Sequence, residues 1–549
     1  MRKTFIKLFV SSFVFPAILL NWLYCQDQNT HNGIRIAWDY NSMQQLADKG
    51  GYPRLTRLED SSLLVIYETR TGNIHLKRSI DNGVTWSCPT EVFSKFVYVT
   101  LDGRSTIVNM ANPEIKQLQN GDIVIACNYR PEKAEIAPYS IALRRSTDNA
   151  KTWFSPQNLY TAAPRFEDGC WEPSFLQLPN GELQVYYANE NPYSDSNEQE
   201  ISMVSSPDNG ITWTEETKTV SFRKNRRDGM PVAQIIDQQI VLIIEDNHIN
   251  QFKPYTIRCD IDDNWANTVL SDSPDRNYAL LEKISDTVYM GAPYMIRLPH
   301  GETMISYQTN ENRASDWERS TMEVAVGDSA AQNFHKRSQP FPVPLNKEAK
   351  WNSLALWDSK TIVALTSSNF NSSEIAPWLI KGHIIPPICL TDQDNKLPIF
   401  IGSKGKTSLR AGIHADNDNL YINCVLTSDQ NNNSTSNGNE VLLFLCLNGQ
   451  ALKIQCSETG SIALWRKEDD LWKSDNLLQK IVVRSQQASS KNAKQLHITV
   501  PKKIMTNKAL TSLQMGLALS VKDTLFGAYT EYLANMTEKD TDTWLNIKL

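Results

Sequence analysis

The sequence has no surplus of positive charge: 55 Lys and Arg stand against 61 Asp and Glu, a formal net charge of −6. Nothing in that balance draws the chain to nucleic acid or to an anionic membrane surface. Cysteine is also sparse, nine in 549 residues, with no CxxC pair and no histidine spacing that suits zinc. No metal or cofactor motif is present. Beyond Leu23 no apolar run is long enough to span a bilayer. What is left is a globular composition, 41% hydrophobic and 21% charged with a mean hydropathy of −0.41. At this length a large domain with a smaller companion is the expected division, here as a monomer.

The first residues are a targeting signal by pattern. Met1-Arg2-Lys3 and Lys7 form a short basic stretch, and Leu8 to Leu23 is apolar, which reads as a secretory signal over residues 1–25 and an exported, periplasmic or extracellular protein. A lipid anchor at Cys25 is the weaker reading, because Leu23-Tyr24 lacks the small residues such a signal carries before its cysteine. The other eight cysteines are scattered, and a chain this large does not need disulfides, so buried free thiols are expected. The 14 Trp and 19 Tyr suit carbohydrate contact, as flat rings with a polar edge do, and suit β-rich cores equally.

The informative feature is a repeat. Ser79-Ile-Asp81-Asn-Gly83-Val-Thr85-Trp86, Ser146-Thr-Asp148-Asn-Ala150-Lys-Thr152-Trp153 and Ser206-Pro-Asp208-Asn-Gly210-Ile-Thr212-Trp213 share one pattern. It resembles the Asp box of sialidases and related propellers: Ser and Asp cap backbone amides, Gly takes a positive φ, and Trp packs under the turn. Ala150 breaks the pattern. Short apolar strands recur with nearly the same period, at Leu63–Tyr67, Ile123–Cys127, Leu183–Tyr187, Ile240–Ile244, Thr303–Tyr307 and Thr361–Leu365. About ten residues before each comes an opening proline, Pro53, Pro113, Pro173, Pro231 and Pro293, with Ser353 in that place in the last unit. Six such units predict an all-β fold, a six-bladed β-propeller over residues 33–386. Ile34–Trp38 supplies a strand that closes the last blade. After Pro386-Pro387 the rhythm stops, and strands at Leu420–Leu426, Glu440–Leu447 and Gln495–Val500 read as a β-sandwich over 397–549.

In a propeller the start of each first strand and the end of each second strand face one rim. First strands bring Arg54, Asn112, Trp171, Glu172, Asp228, Tyr294 and Trp351 there, and second strands bring Tyr187, Arg130 and Glu245. Paired carboxyls among aromatics are the equipment of glycosidic hydrolysis. Glu172 precedes Pro173, where the other units carry Tyr52, Asn112, Met230, Ala292 and Asn352. Glu245 ends the apolar strand Ile240–Ile244, beside a dry wall that raises a carboxyl pKa. Arg54, Arg130 and Asp228 are candidates for sugar hydroxyls, with mutual ion pairing as the alternative. Trp171, Tyr187, Tyr294 and Trp351 are candidates for stacking, with packing as the alternative.

Asp168-Gly-Cys-Trp171-Glu172-Pro173 with Leu183-Gln-Val-Tyr186-Tyr187, Arg227-Asp228-Gly229-Met230-Pro231, and Tyr52-Pro53-Arg54-Leu55 resemble family 93 glycoside hydrolases, exo-α-L-arabinanases that retain configuration. The resemblance covers roughly residues 35–385. It implies a carbohydrate substrate, no cofactor, Glu172 as nucleophile and Glu245 as acid/base. A sialidase is the first rival; that family's Arg-x-Pro element has Gly51 in its arginine position here, leaving Arg130, Arg227 and Arg313 as the arginines that would have to converge. A non-catalytic glycan-binding propeller is the other. Pro398–Ser403 and Leu409–Ile422 resemble family 9-type carbohydrate-binding sandwiches, with a structural buttress as the alternative role.

Overall fold

The computed structural model describes residues 33–390, 397–404, 407–428, 438–468, 471–475, 480–488, 490, 492–504, 512–523 and 527–548. The expected export signal over residues 1–25, with Cys25, lies outside them. Six antiparallel sheets form the larger body. Their first strands are Gly51–Arg57, Ser105–Gln117, Cys170–Gln177, Asp228–Ile236, Met290–Arg297 and Ala349–Asp358. Each neighbours the next, and the last neighbours the first, so the sheets close into a six-bladed β-propeller. The sixth blade is completed by the N-terminal strand Arg35–Gln45, which pairs antiparallel with Ala376–Ile385 in the register Arg35↔Ile385. That closure lets the two ends of the propeller sequence hold each other.

The unbroken apolar run of the fourth blade explains how blades adhere. Ile240, Leu242 and Ile244 enter the core shared with the third blade, while Val241 and Ile243 enter the core shared with the fifth. Side chains alternate across a strand, and both faces of every inner blade are covered, so polar alternation disappears. The second blade carries one strand more than the others, Phe96–Val99, paired to the start of its long first strand.

The three repeated turns each follow a third strand and share one bond set. Gly83 N–H donates to Ser79 Oγ (2.8 Å) and Thr85 N–H to Asp81 Oδ1 (2.9 Å); Ala150 and Thr152 repeat this on Ser146 and Asp148 (3.0 and 2.9 Å). Ala150 therefore adopts the glycine conformation, φ 61°, without being glycine.

The smaller body packs an eight-stranded sheet on a five-stranded one, enclosing one core that includes Phe444, Leu517 and Trp544. This is the β-sandwich, and the expected strands lie within Asn419–Thr427, Glu440–Leu447 and Ala493–Pro501. Its sheet takes up the chain before residue 397, since Ile388–Cys389 already runs parallel to Leu545–Lys548. Arg35 ties the bodies together: its buried guanidinium donates to the carbonyls of Ala534, Thr543 and Trp544 at 3.0, 2.6 and 3.1 Å. Among the described residues seven cysteines are free thiols, five of them buried. No helix among the described residues is long and apolar enough to cross a membrane.

Candidate active site

Every first strand carries a β-bulge, near its start in five blades and in mid-strand in the long Ser105–Gln117, and at each bulge one residue takes a left-handed backbone. These are Tyr52, Asn112, Glu172, Met230, Ala292 and Trp351, with φ between 48° and 56°. Positive φ is unfavourable for such side chains, and six repetitions mark it as a built feature of the rim. Tyr52, Met230, Ala292 and Trp351 come from four different blades yet pack in one cluster, so the six residues converge on the axis. The sixth blade corrects the expected register. Its bulge lies between Lys350 and Ser353, which makes Trp351 the counterpart of Glu172 and Asn352 the counterpart of the prolines, where the sequence repeat pointed to Asn352 and Ser353.

A second repeated position supports the first. Glu68, Asn128, Ala188, Glu245, Gln308 and Ser367 each pair with the residue just before their own blade's left-handed residue. Four of them reach across to cap the left-handed N–H of the next blade. Asn112 N–H donates to Glu68 Oε2 (3.1 Å), Ala292 to Glu245 Oε2 (2.7 Å), Trp351 to Gln308 Oε1 (2.8 Å) and Tyr52 to Ser367 Oγ (2.7 Å). Asn128 turns its amide N–H to Ser140 and Cys170 carbonyls instead, and Ala188 has no polar atom to offer.

Glu172 and Glu245 thus arrive in the same opening from adjacent blades. Burial pushes Glu172 up to about 8, with the charges of Glu245 and Glu190 adding to it against Arg130 and Arg227. Arg130 Nη2 stands 3.7 Å from Glu172 Oε1. It is held there by Asn128 Oδ1 (2.8 Å), by Asn112 Oδ1, and by the face of Trp171 at 4.9 Å. Burial pushes Glu245 up to about 7, opposed by the Ala292 N–H and by Arg227. Glu245 fits only because two glycines flank it. A β-carbon on Gly229 would fall 3.0 Å from its Oε1, and one on Gly291 would fall 2.6 Å from its Oε2.

Glu172, Glu245, Arg130, Asn112 and Trp351 therefore share the axial opening. Arg54 and Tyr294 sit one layer deeper and are already engaged: Arg54 pairs with Glu114 at 3.1 Å between the rings of Tyr52 (3.9 Å) and Tyr294 (5.1 Å), and Tyr294 Oη donates to Glu114. Three residues expected at the rim belong to the walls. Tyr187 is fully buried against Tyr160 (5.0 Å), because its strand is covered on both faces. Trp171 is buried between Tyr139 and Phe166, 4.7 and 5.5 Å away, so only its face toward Arg130 bears on the site. Asp228 is fully buried and pairs with Arg276 (2.7 Å), not with Arg54 or Arg130; Arg276 also holds Asp246 (2.8 Å), which Arg223 flanks (2.9 Å). A strand that begins with an ionic residue beside a catalytic-looking position gives no sequence signal of which way that side chain turns.

Sequence reasoning missed two residues. Tyr289 lies one residue before the fifth first strand, and its phenol feels both Glu245 and Glu172. Trp317 is 40% exposed and stands between Tyr289 (5.9 Å) and Trp351 (6.2 Å). Both lie outside the repeated positions, so the period could not find them. Of the three arginines of the sialidase alternative, Arg130 and Arg227 both act on Glu172, with Arg227 also paired to Glu190, whereas Arg313 is engaged by the carbonyls of Arg319, Val343, Pro344 and Lys347.

No protein-family model and no curated protein matches the chain. Among solved structures it is similar to a protein of unknown function from Dyadobacter fermentans, at 13% identity and a TM-score of 0.47 over 64% of this chain and 98% of that one. It is similar to the α-L-arabinofuranosidase Arb93A of Fusarium graminearum, at 14% identity and a TM-score of 0.45 over 63% and 97%. The NanB sialidase of Streptococcus pneumoniae shares 13% identity and a TM-score of 0.42 over 61% and 69%.

Proposed function

We propose that the chain is an exported glycoside hydrolase that retains anomeric configuration, with Glu172 as nucleophile and Glu245 as general acid/base. The observation that carries this is the pair itself: two half-buried carboxyls with raised proton affinity, brought from adjacent blades to one axial opening, with the Arg130 guanidinium 3.7 Å from the first. The two values lie about one pH unit apart, so the singly protonated pair populates both proton placements. The placement with Glu172 ionised toward Arg130 is the reactive one. Glu172 attacks the anomeric carbon while Glu245 gives its proton to the departing glycosidic oxygen. Glu245 then takes a proton from water as that water displaces Glu172.

α-L-Arabinan is the proposed substrate, on the resemblance carried by Asp168–Pro173 and Arg227–Pro231. The occupied guanidinium of Arg313 argues against a sialidase, which needs three arginines free for a carboxylate. The sandwich is read as a buttress, supported by the burial of Arg35 among its carbonyls. The test is a screen of purified protein on arabinan, sialyl and pectic oligosaccharides, recording product length and anomeric form. Glu172→Gln separates catalysis from binding: a hydrolase loses turnover and keeps affinity, whereas equal behaviour of variant and wild type removes Glu172 from the chemistry.

A further inference from the structure

The two oxygens of Glu245 sit in opposite surroundings, and two amides set the difference. Gln308 is fully buried. Its Oε1 accepts from the backbone N–H of Trp351 at 2.8 Å, and its Nε2 donates to the Tyr289 hydroxyl oxygen at 3.0 Å. A backbone N–H can only donate, so the amide cannot be turned the other way. The Tyr289 oxygen is thereby an acceptor from Gln308, and its own proton must point elsewhere. The Tyr289 hydroxyl and Glu245 Oε2 meet over Gly291: a β-carbon there would fall 2.3 Å from the first and 2.6 Å from the second. Oε2 already accepts from Ala292 N–H.

On the other side of Glu245, Gln199 is fixed in the opposite sense. Its Nε2 donates to Glu190 Oε1 at 3.1 Å, a carboxylate oxygen that also carries the ion pair with Arg227. The amide oxygen of Gln199 is left facing Glu245: a β-carbon on Gly229 would fall 3.0 Å from Gln199 Oε1 and 3.0 Å from Glu245 Oε1. Oε2 thus accepts from the Ala292 N–H and shares the space over Gly291 with the Tyr289 hydroxyl, while Oε1 shares the space over Gly229 with the Gln199 amide oxygen.

We propose that Tyr289, set by Gln308, and Gln199, set by Glu190, are positioning residues that confine the acidic proton of Glu245 to Oε1. This rests on reading Glu245 as the acid/base. The phenol proton covers Oε2 and never leaves the tyrosine, because burial and the neighbouring carboxylates keep that group far above its ordinary value. Oε1 then delivers the proton to the glycosidic oxygen and recovers one from water, so no co-reactant is needed.

The experiment follows the carboxyl itself. Wild type and Tyr289→Phe are labelled with 13C at the glutamate carboxyls, the Glu245 signal is assigned by its loss in Glu245→Gln, and both are titrated by NMR. Removal of a donor to a carboxylate raises its proton affinity, so the Glu245 midpoint should rise by about one pH unit in Tyr289→Phe, and the corresponding limb of the kcat/KM profile should move with it while KM changes little. Gln308→Glu, which still accepts from Trp351 but turns an acceptor toward the phenol, should move the midpoint the same way with Tyr289 intact. A midpoint unchanged in both variants overturns the positioning role. A shifted midpoint in a protein that hydrolyses no glycoside leaves the positioning role standing and overturns the glycosidase reading.

Discussion

Replacing Glu172 with glutamine should stabilise the protein by an amount that is nil at acid pH and grows until the pH passes about 8. Below about pH 4.5 the carboxyl is protonated in both folded and unfolded chains, so it costs nothing. As pH rises from 4.5, the ordinary value, to about 8, the folded value, the unfolded chain releases the proton and the folded one retains it. Unfolding therefore gains ground throughout that window. Above about 8 the full cost is present, at most ~5 kcal/mol at ~1.4 kcal/mol per pH unit; local relaxation reduces it, and ~2–5 kcal/mol is the working expectation. Glutamine keeps the shape and never ionises. Urea unfolding of wild type and Glu172→Gln at pH 4.5, 6.5 and 8.5 should give superimposable curves at the lowest pH and a variant more stable than wild type at the highest. The same preparations, assayed on oligosaccharide, should show the more stable protein to be the inactive one. A stability gap independent of pH, or a wild type that is the more stable at pH 8.5, refutes the claim that burial of this carboxyl dominates its energetics.

Gly291→Ala should leave the fold intact by circular dichroism and cut kcat/KM by about 100-fold or more, since a displacement near 1 Å at the acid is worth that much; near-wild-type turnover means that Glu245 is not held against that glycine. Ala150→Gly should raise Tm with a gain of ~0.5–1 kcal/mol, because φ 61° strains alanine more than it costs glycine in chain entropy; a lower Tm contradicts the turn geometry. Arg276→Ala should destabilise by ~3–5 kcal/mol in urea unfolding, as it strands Asp228 and Asp246 in a sealed site; a loss below ~1 kcal/mol places those carboxylates in contact with water. Glycosidase activity with natural oligosaccharides should follow a bell with its top between about 7 and 8, where one proton is shared by Glu172 and Glu245; activity that climbs steadily below pH 5 assigns the chemistry elsewhere.

The blade count, the closing strand and the six second strands were legible because each is enforced by periodic burial: a strand covered on both faces has to be apolar throughout, as Ile240–Ile244 is. Glu172 stood out because it alone places a charge at its repeated position, and Glu245 because it ends an apolar strand, although Glu68 holds the same position in the first blade. What was not legible depends on side-chain direction. Asp228 and Glu172 occupy neighbouring places near the starts of consecutive first strands, yet one turns into Arg276 and the other to the axis. The bulge decides this, and its location in the sixth blade could not be read once proline was replaced by Asn352. Tyr289 precedes a strand at no repeated position, so only the packing over Gly291 reveals it.

The two carboxyls are not equivalent copies of one device, and this bears on their division of labour. Glu172 occupies the left-handed position, where in four other blades the side chain is uncharged and packs on the axis. Its environment is set by what stands across the opening, chiefly Arg130. Glu245 occupies the capping position, shared with Glu68, Gln308 and Ser367, and is anchored through Oε2 to the next blade before any substrate arrives. A carboxyl tethered at one oxygen is suited to pass a proton from the other along a fixed direction. A carboxyl facing a guanidinium at 3.7 Å is placed to attack once it has ionised, with Arg130 opposing the burial that holds its proton. The capping position of Glu172's own blade holds Ala188, so the scaffold sets no polar cap from that blade toward the one that carries Glu245.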